Sequence, residues 1–192
     1  GSNSKFDGVT VTGTENIMMA ATLAQGMTVL TNVAKEPEII DLAEMLNSMG
    51  ADIKGAGTDK ITIKGVSELS GTTFAIPADR IEAGTYLAAA AVTNGNITID
   101  SINPNRLMKV INMIERSGSK ITFDDNSISI SMNKDRPDPV DITTAPFPEF
   151  PTDMQAQFSV INAISNGVSN IYETVFENRF MHILELNRMG CD

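Results

Sequence analysis

The sequence predicts an α/β fold, α+β in its closing hairpins, built from βαβαββ repeats: two full units and one truncated unit. Three observations predict it. Two sets of glycine markers, Gly26, Gly95 and Gly167, then Gly50, Gly118 and Gly190, recur with one period of about 70 residues. Between the markers the apolar spacing switches repeatedly between strand-like alternation and helical periodicity. The helices that open the units are apolar nearly all round, whereas those that follow carry a single apolar stripe. This contrast predicts helices buried at the centre and sheets outside.

In the first unit the pattern predicts strands at Gly8–Val11, Met27–Thr31, Ala51–Lys54 and Lys60–Lys64. The last two form a hairpin around Gly57-Thr58-Asp59. Its helices are expected over Glu15–Gln25 and Glu38–Met49, the first through the apolar run Ile17–Ala24 and the second through the stripe Ile39, Leu42, Leu46 and Met49. The second unit repeats the order with Thr73–Ile76, a helix from Asp79, Asn96–Ile99, a helix over Arg106–Ser117, then Lys120–Phe123 and Ser127–Ser131 around Asp124-Asp125-Asn126. The third has Val140–Thr143, a helix from Asp153, Ser169–Glu173 and a helix over Glu177–Met189, with no closing hairpin. Gly1-Ser2 reads as a cloning remnant, and both ends of the chain suggest a piece of something longer.

Charge narrows the partners. Against 14 basic residues stand 24 acidic ones, a net charge of -10. A surface so acidic argues against nucleic acid, which needs a basic face. A phosphorylated small molecule needs only a local set of donors. A single cysteine, Cys191, cannot form an intrachain disulfide, which points to a reducing compartment. No apolar run approaches the roughly 20 residues of a membrane span.

Among polar residues, Asp153 stands out. Pro146, Pro148 and Pro151 stiffen the chain ahead of it, because proline fixes its own φ and restricts its predecessor. Thr152, three residues before Gln155, has the spacing of a capping box. A carboxylate held in this way is a candidate base or hydroxyl ligand. Asp79 and Glu82 form a cap-like pair, and Glu36 and Glu38 flank Pro37 at a helix start. Arg80 and Arg179 suit either an anion or a structural ion pair. His182, the sole histidine, cannot assemble a metal site by itself. The methionines are expected as core filler.

Thr14-Glu-Asn-Ile-Met-Met-Ala-Ala21, Ala34-Lys-Glu-Pro-Glu-Ile39, Asp79-Arg-Ile-Glu82, Phe150-Pro-Thr-Asp-Met-Gln-Ala-Gln-Phe158 and Glu173-Thr-Val-Phe-Glu-Asn-Arg-Phe-Met-His182 carry a further signal. Together with the three units, they resemble the enolpyruvyl transferase family, and within it the members acting on UDP-N-acetylglucosamine. The resemblance implies an inside-out α/β barrel type, with two domains of three units each. Residues 1–72 would be the last unit of the first domain. Residues 73–192 would be one full and one truncated unit of the second. The implied reaction moves the enolpyruvyl group of phosphoenolpyruvate to the 3-hydroxyl of UDP-N-acetylglucosamine and releases phosphate. This is the first committed step of peptidoglycan synthesis, in the cytoplasm. Phosphoenolpyruvate is a cosubstrate, and no metal or organic cofactor is implied.

Residue by residue, the resemblance makes Asp153 the base for the sugar 3-hydroxyl and a stabiliser of oxocarbenium-like charge. Val9, Thr10, Val11 and Thr12 would line the uridine diphosphate end. There Thr12-Gly13 replaces the family's glycine, and Gly8 stands where the family has a basic residue. Val175 would supply a backbone contact to the nucleotide sugar, and Thr152, next to the base, would also line the substrate site. Glu36, Glu38, Asp79 and Arg179 would face the cleft. Cys191 does not match the family's reactive cysteine, which lies on a loop of the first domain. These 192 residues alone are expected to be inactive and to self-associate. Two alternatives remain: a relative acting on shikimate 3-phosphate, or a non-catalytic self-associating fragment.

Overall fold

The computed structural model describes residues 1–192. The chain divides into two compact units, Gly1–Pro77 and Ala78–Asp192.

In Gly1–Pro77 the elements run β1 (Asn3–Lys5), α1 (Val11–Ala21), β2 (Met27–Thr31), α2 (Pro37–Ser48), β3 (Asp52–Lys54) and β4 (Lys60–Lys64). They form one sheet in the order β1-β2-β4-β3. β1 lies parallel to β2, with Ser4 opposite Leu30, and β4 lies antiparallel to both β2 and β3. The register pairs Leu30 with Ile61 and Thr28 with Ile63, which puts all four buried residues on one face. Met18 and Ala21 of α1 and Ile39, Ala43 and Leu46 of α2 pack into the same core.

The expected strand at Gly8–Val11 does not form; the edge strand is Asn3–Lys5, and α1 starts four residues before the predicted Glu15. Thr10 is the cause. Its extended backbone ends the incoming chain, and its Oγ1 accepts the N–H of Gly13 at 3.2 Å. Threonine at that position satisfies an orphan helix donor, and this local bond overrides its strand preference. α1 also ends before Gln25, where the Thr22 hydroxyl donates to the Met19 carbonyl. Nor is α1 buried on all sides. Thr14, Met18 and Ala21 are covered, but Ile17 and Met19 remain 39% and 44% exposed. Within this unit only one layer packs on the helix, and one layer covers one side.

In Ala78–Asp192 the elements are α3 (Arg80–Val92), β5 (Asn96–Asp100), a 3-10 turn at Pro104–Arg106, α4 (Met108–Arg116), β6 (Lys120–Phe123) and β7 (Ser127–Ser131). They continue with β8 (Ile142–Thr143), a 3-10 turn at Thr152–Met154, α5 (Gln155–Ala163), β9 (Ile171–Tyr172) and α6 (Met181–Arg188). One sheet has the order β5-β7-β6, all antiparallel, and β8 pairs β9 in parallel. Residues 73–76 form no strand: they find no partner, and Ile76 is 77% exposed. The helix predicted from Arg106 begins at Met108, after the 3-10 turn, and the one predicted from Glu177 begins at Met181.

α3 meets the prediction for an opening helix better than α1 does, with Ala83, Gly84, Leu87, Ala88, Ala90 and Ala91 all buried. It packs against α5, whose Phe158 meets Phe150 edge-on at 4.8 Å between ring centroids. Its start is capped as the sequence suggested. Asp79 Oδ1 accepts from the N–H groups of Ile81 at 2.7 Å and Glu82 at 3.2 Å.

The second glycine marker has a structural reason. α2, α4 and α6 each end two residues before a glycine in the left-handed region, Gly50, Gly118 and Gly190, at φ +105°, +100° and +95°. After α2, Gly50 N–H donates to Asn47 and Ala51 N–H to Leu46. Gly190 and Cys191 repeat these bonds to Asn187 and Leu186. This is the glycine-dependent Schellman termination of a helix.

Candidate active site

Asp153 lies in the 3-10 turn that leads into α5, and each of its neighbours is tied down. Phe150 and Met154 are buried in the core, while Thr152 is hydrogen-bonded on both sides of its hydroxyl. The expected capping box is absent. No side chain caps α5, and both amide atoms of the buried Gln155 lack a hydrogen-bond partner. Thr152 Oγ1 instead donates to Glu173 Oε2 at 2.8 Å. A charged acceptor outcompetes a neutral cap.

The Asp153 side chain is 53% exposed, with Arg179 Nη2 donating to its Oδ1 at 2.8 Å. Oδ2 makes no hydrogen bond in the fold. Arg179 Nη1 donates to Thr152 Oγ1 at 3.1 Å, and the guanidinium stands 5.1 Å from the centroid of the Phe176 ring. The ion pair is too exposed to contribute much stability; what it fixes is geometry.

Behind this pair lies a carboxylate that the sequence reading gave no role. Glu173 Oε1 accepts from the Thr144 hydroxyl at 2.8 Å and from the N–H groups of Val175 at 2.8 Å and Phe176 at 2.9 Å. Burial raises its pKa, but the donors Phe176 N–H, Thr152, Thr144 and Val175 N–H together outweigh that and hold it below its ordinary value. Thr144 is fully buried, and its Oγ1 also accepts the N–H of Thr174. An acid two and three residues ahead of the amides it binds is a local signal that could have marked Glu173. No sequence signal marked Thr144.

Val175 therefore has its N–H committed to Glu173, so a backbone contact from Val175 to a ligand falls to its carbonyl. Asp79 is engaged as the α3 cap, and Arg80 is buried with its guanidinium 5.7 Å from the Phe147 ring centroid. His182 Nε2 lies 3.1 Å from Ser159 Oγ, and burial followed by the charge of Arg179 lowers its pKa.

The remaining candidates belong to Gly1–Pro77. Val9 precedes the cap residue Thr10, and Val11 and Thr12 are the first residues of α1. Glu36 precedes Pro37, the first residue of α2, and Glu38 lies in that helix's first turn. Glu15 of α1 has its pKa raised by burial, then by the charges of Glu38 and Glu36. That coupling means that these three acids lie near one another.

Chemically, the arrangement in Ala78–Asp192 offers a carboxylate oxygen able to accept a hydrogen bond, an anchored guanidinium and an exposed aromatic ring side by side. No helix is long and apolar enough to cross a membrane.

Comparison with known proteins agrees on the fold. The enolpyruvyl transferase NikO from Streptomyces tendae superposes with a TM-score of 0.80 at 23% identity, over 93% of this chain and 43% of that one. EPSP synthase from Acinetobacter baumannii gives 0.60 at 22% identity, over 89% of this chain and 40% of that one. The chain thus spans less than half the length of either protein. Residues 1–192 match a single family throughout, EPSP synthase (3-phosphoshikimate 1-carboxyvinyltransferase), and the chain belongs to that family of enolpyruvyl transferases.

Proposed function

We propose that this chain is part of a cytoplasmic enzyme that transfers the enolpyruvyl group of phosphoenolpyruvate to the 3-hydroxyl of UDP-N-acetylglucosamine, releasing phosphate, in peptidoglycan precursor synthesis. In this reading, residues 1–72 close the enzyme's first domain and residues 73–192 open its second.

The carrying observation is the pairing of Asp153 with Arg179, which leaves Oδ2 of an exposed, immobilised carboxylate without a partner. That oxygen accepts the sugar 3-hydroxyl as a hydrogen-bond donor and takes its proton as the oxygen attacks. The carboxylate also stabilises the positive charge that develops beside it. Phe176 offers an exposed face, and the Val175 carbonyl an acceptor, to the rest of the nucleotide sugar. Thr10, Val11 and Thr12, at the start of α1, serve the diphosphate end. The N–H groups of a first helical turn favour an anion. Val9, Glu36, Glu38 and Asp79 complete the proposed contacts.

Calorimetric titration of this chain with UDP-N-acetylglucosamine, beside Asp153→Asn, tests the reading. Saturable binding that Asp153→Asn weakens about tenfold is expected, the scale of one hydrogen bond to a charged group. Shikimate 3-phosphate is the comparison ligand. Tighter binding of shikimate 3-phosphate would reassign the acceptor, and no binding of either at millimolar concentration would overturn a site preformed in these residues.

A further inference from the structure

We infer that Glu173 is the positioning residue of this site. It sets Asp153 and Arg179 in place before any ligand arrives, and its role in catalysis rests on the function proposed above. The direction of every proton in the network leads to it. Arg179 has only donors, so at Thr152 it must donate. The single hydroxyl proton of Thr152 is then directed to Glu173 Oε2. At Thr144 the same logic applies: its Oγ1 accepts from Thr174 N–H, so its proton goes to Glu173 Oε1. Two hydroxyls and two backbone amides converge on one carboxylate. Only an ionised acid can accept from all four.

The consequence for Asp153 is specific. Asp153 is exposed, and a long, flexible arginine is its only partner. A surface pair of this kind does not normally keep one geometry, because the long arginine side chain loses freedom to hold it. Here Nη1 is fastened to Thr152, which is fastened to Glu173, while the Phe176 ring lies under the guanidinium. Glu173 also holds the amide of Phe176, so one carboxylate fixes both the ring and the arginine that stacks on it. Neutralising it reverses the proton order. A glutamine in its place turns an N–H donor toward Thr152, whose oxygen is already taking one from Arg179.

The test is side-chain NMR of Arg179 in this chain without ligand, its signals assigned by their loss in Arg179→Lys. In the wild type, slow rotation of an anchored guanidinium should give resolved Nη resonances. Glu173→Gln should collapse them. Thr152→Val, which leaves the bonds of Glu173 to Thr144, Val175 and Phe176 intact, should do the same, and Thr152→Ser should restore them. The Glu173→Gln/Thr152→Val double variant should be no worse than the more severe single variant, because both cut one relay. Resolved Nη signals that survive in Glu173→Gln or Thr152→Val, with an unchanged amide spectrum, overturn the inference. Should Glu173→Gln unfold, the Thr152 pair decides the outcome alone. Affinity for UDP-N-acetylglucosamine separates the two claims. A collapse of the Arg179 signals in a protein that binds no nucleotide sugar supports the positioning role and removes the functional reading.

Discussion

Gly84 lies against Met154, the residue that follows Asp153: a Cβ built on Gly84 would stand 2.9 Å from the Met154 Sδ. The contact joins α3 to the 3-10 turn that carries the acid, and Met154 is fully buried there. Glycine within a helix costs about 1 kcal/mol relative to alanine, so its presence at this position has to be explained by the approach.

Gly84→Ala sets that gain against overpacking, which costs about 1–3 kcal/mol in a filled core. A net loss of about 1 kcal/mol is expected by chemical denaturation. Met154→Ala in the same chain should make room for the new methyl group. The double variant should therefore be less destabilised than the sum of the two, and strict additivity would mean that the side chains do not compete.

Two glutamates give opposite pH signatures. The pKa of Glu173 is lowered, so the folded state gains stability as Glu173 ionises; that gain is present above the ordinary value of 4.5 and lost as pH falls below it. Glu15 has its pKa raised, so the folded state holds that proton more tightly; stability drops as pH rises from 4.5 through the higher folded value. Glu15→Gln should accordingly raise the melting temperature by about a degree or two at neutral pH and by nothing below 4.5. Glu173→Gln should lower it at neutral pH, with the difference closing in acid. Thermal scans across this range check both signs.

Exposed apolar side chains should make the chain associate with itself. Ile17 and Met19 on α1, Leu23 just after it, and Met181 and Leu184 on α6 are 39–77% exposed, and exposed apolar surface gathered together marks an interaction site. Light scattering should show mass rising with concentration. Met181→Lys/Leu184→Lys should reduce the rise if α6 forms the contact, and a monomer at every concentration would disprove association.

What the sequence made legible was governed by side-chain periodicity and backbone chemistry. β4 carries Ile61 and Ile63 inward as its alternation requires, and Asp79 caps α3 as a side chain of its type does. The errors fall where a local hydrogen bond or a missing partner decides. Gly8–Val11 reads as a strand, but Thr10 spends its hydroxyl on Gly13 and starts a helix. Residues 73–76 have strand composition and nothing to pair with. At the candidate site, Asp153 and Arg179 were visible because proline spacing and family-like segments surround them. Thr144 was not, because its role depends on a bond between residues 29 positions apart, and Glu173 was marked only by its spacing to the amides of Val175 and Phe176.

Helix termination by backbone geometry bears on how much a sequence of this kind can drift. Gly50, Gly118 and Gly190 stop their helices through a left-handed turn that involves no particular side chain upstream. Residues before each glycine can be exchanged freely, provided the apolar stripe survives, and the following segment still departs from the same point in the same direction. Punctuation is kept while vocabulary changes. A chain built in this way can superpose at a TM-score of 0.80 on a protein with which it shares only 23% of its residues.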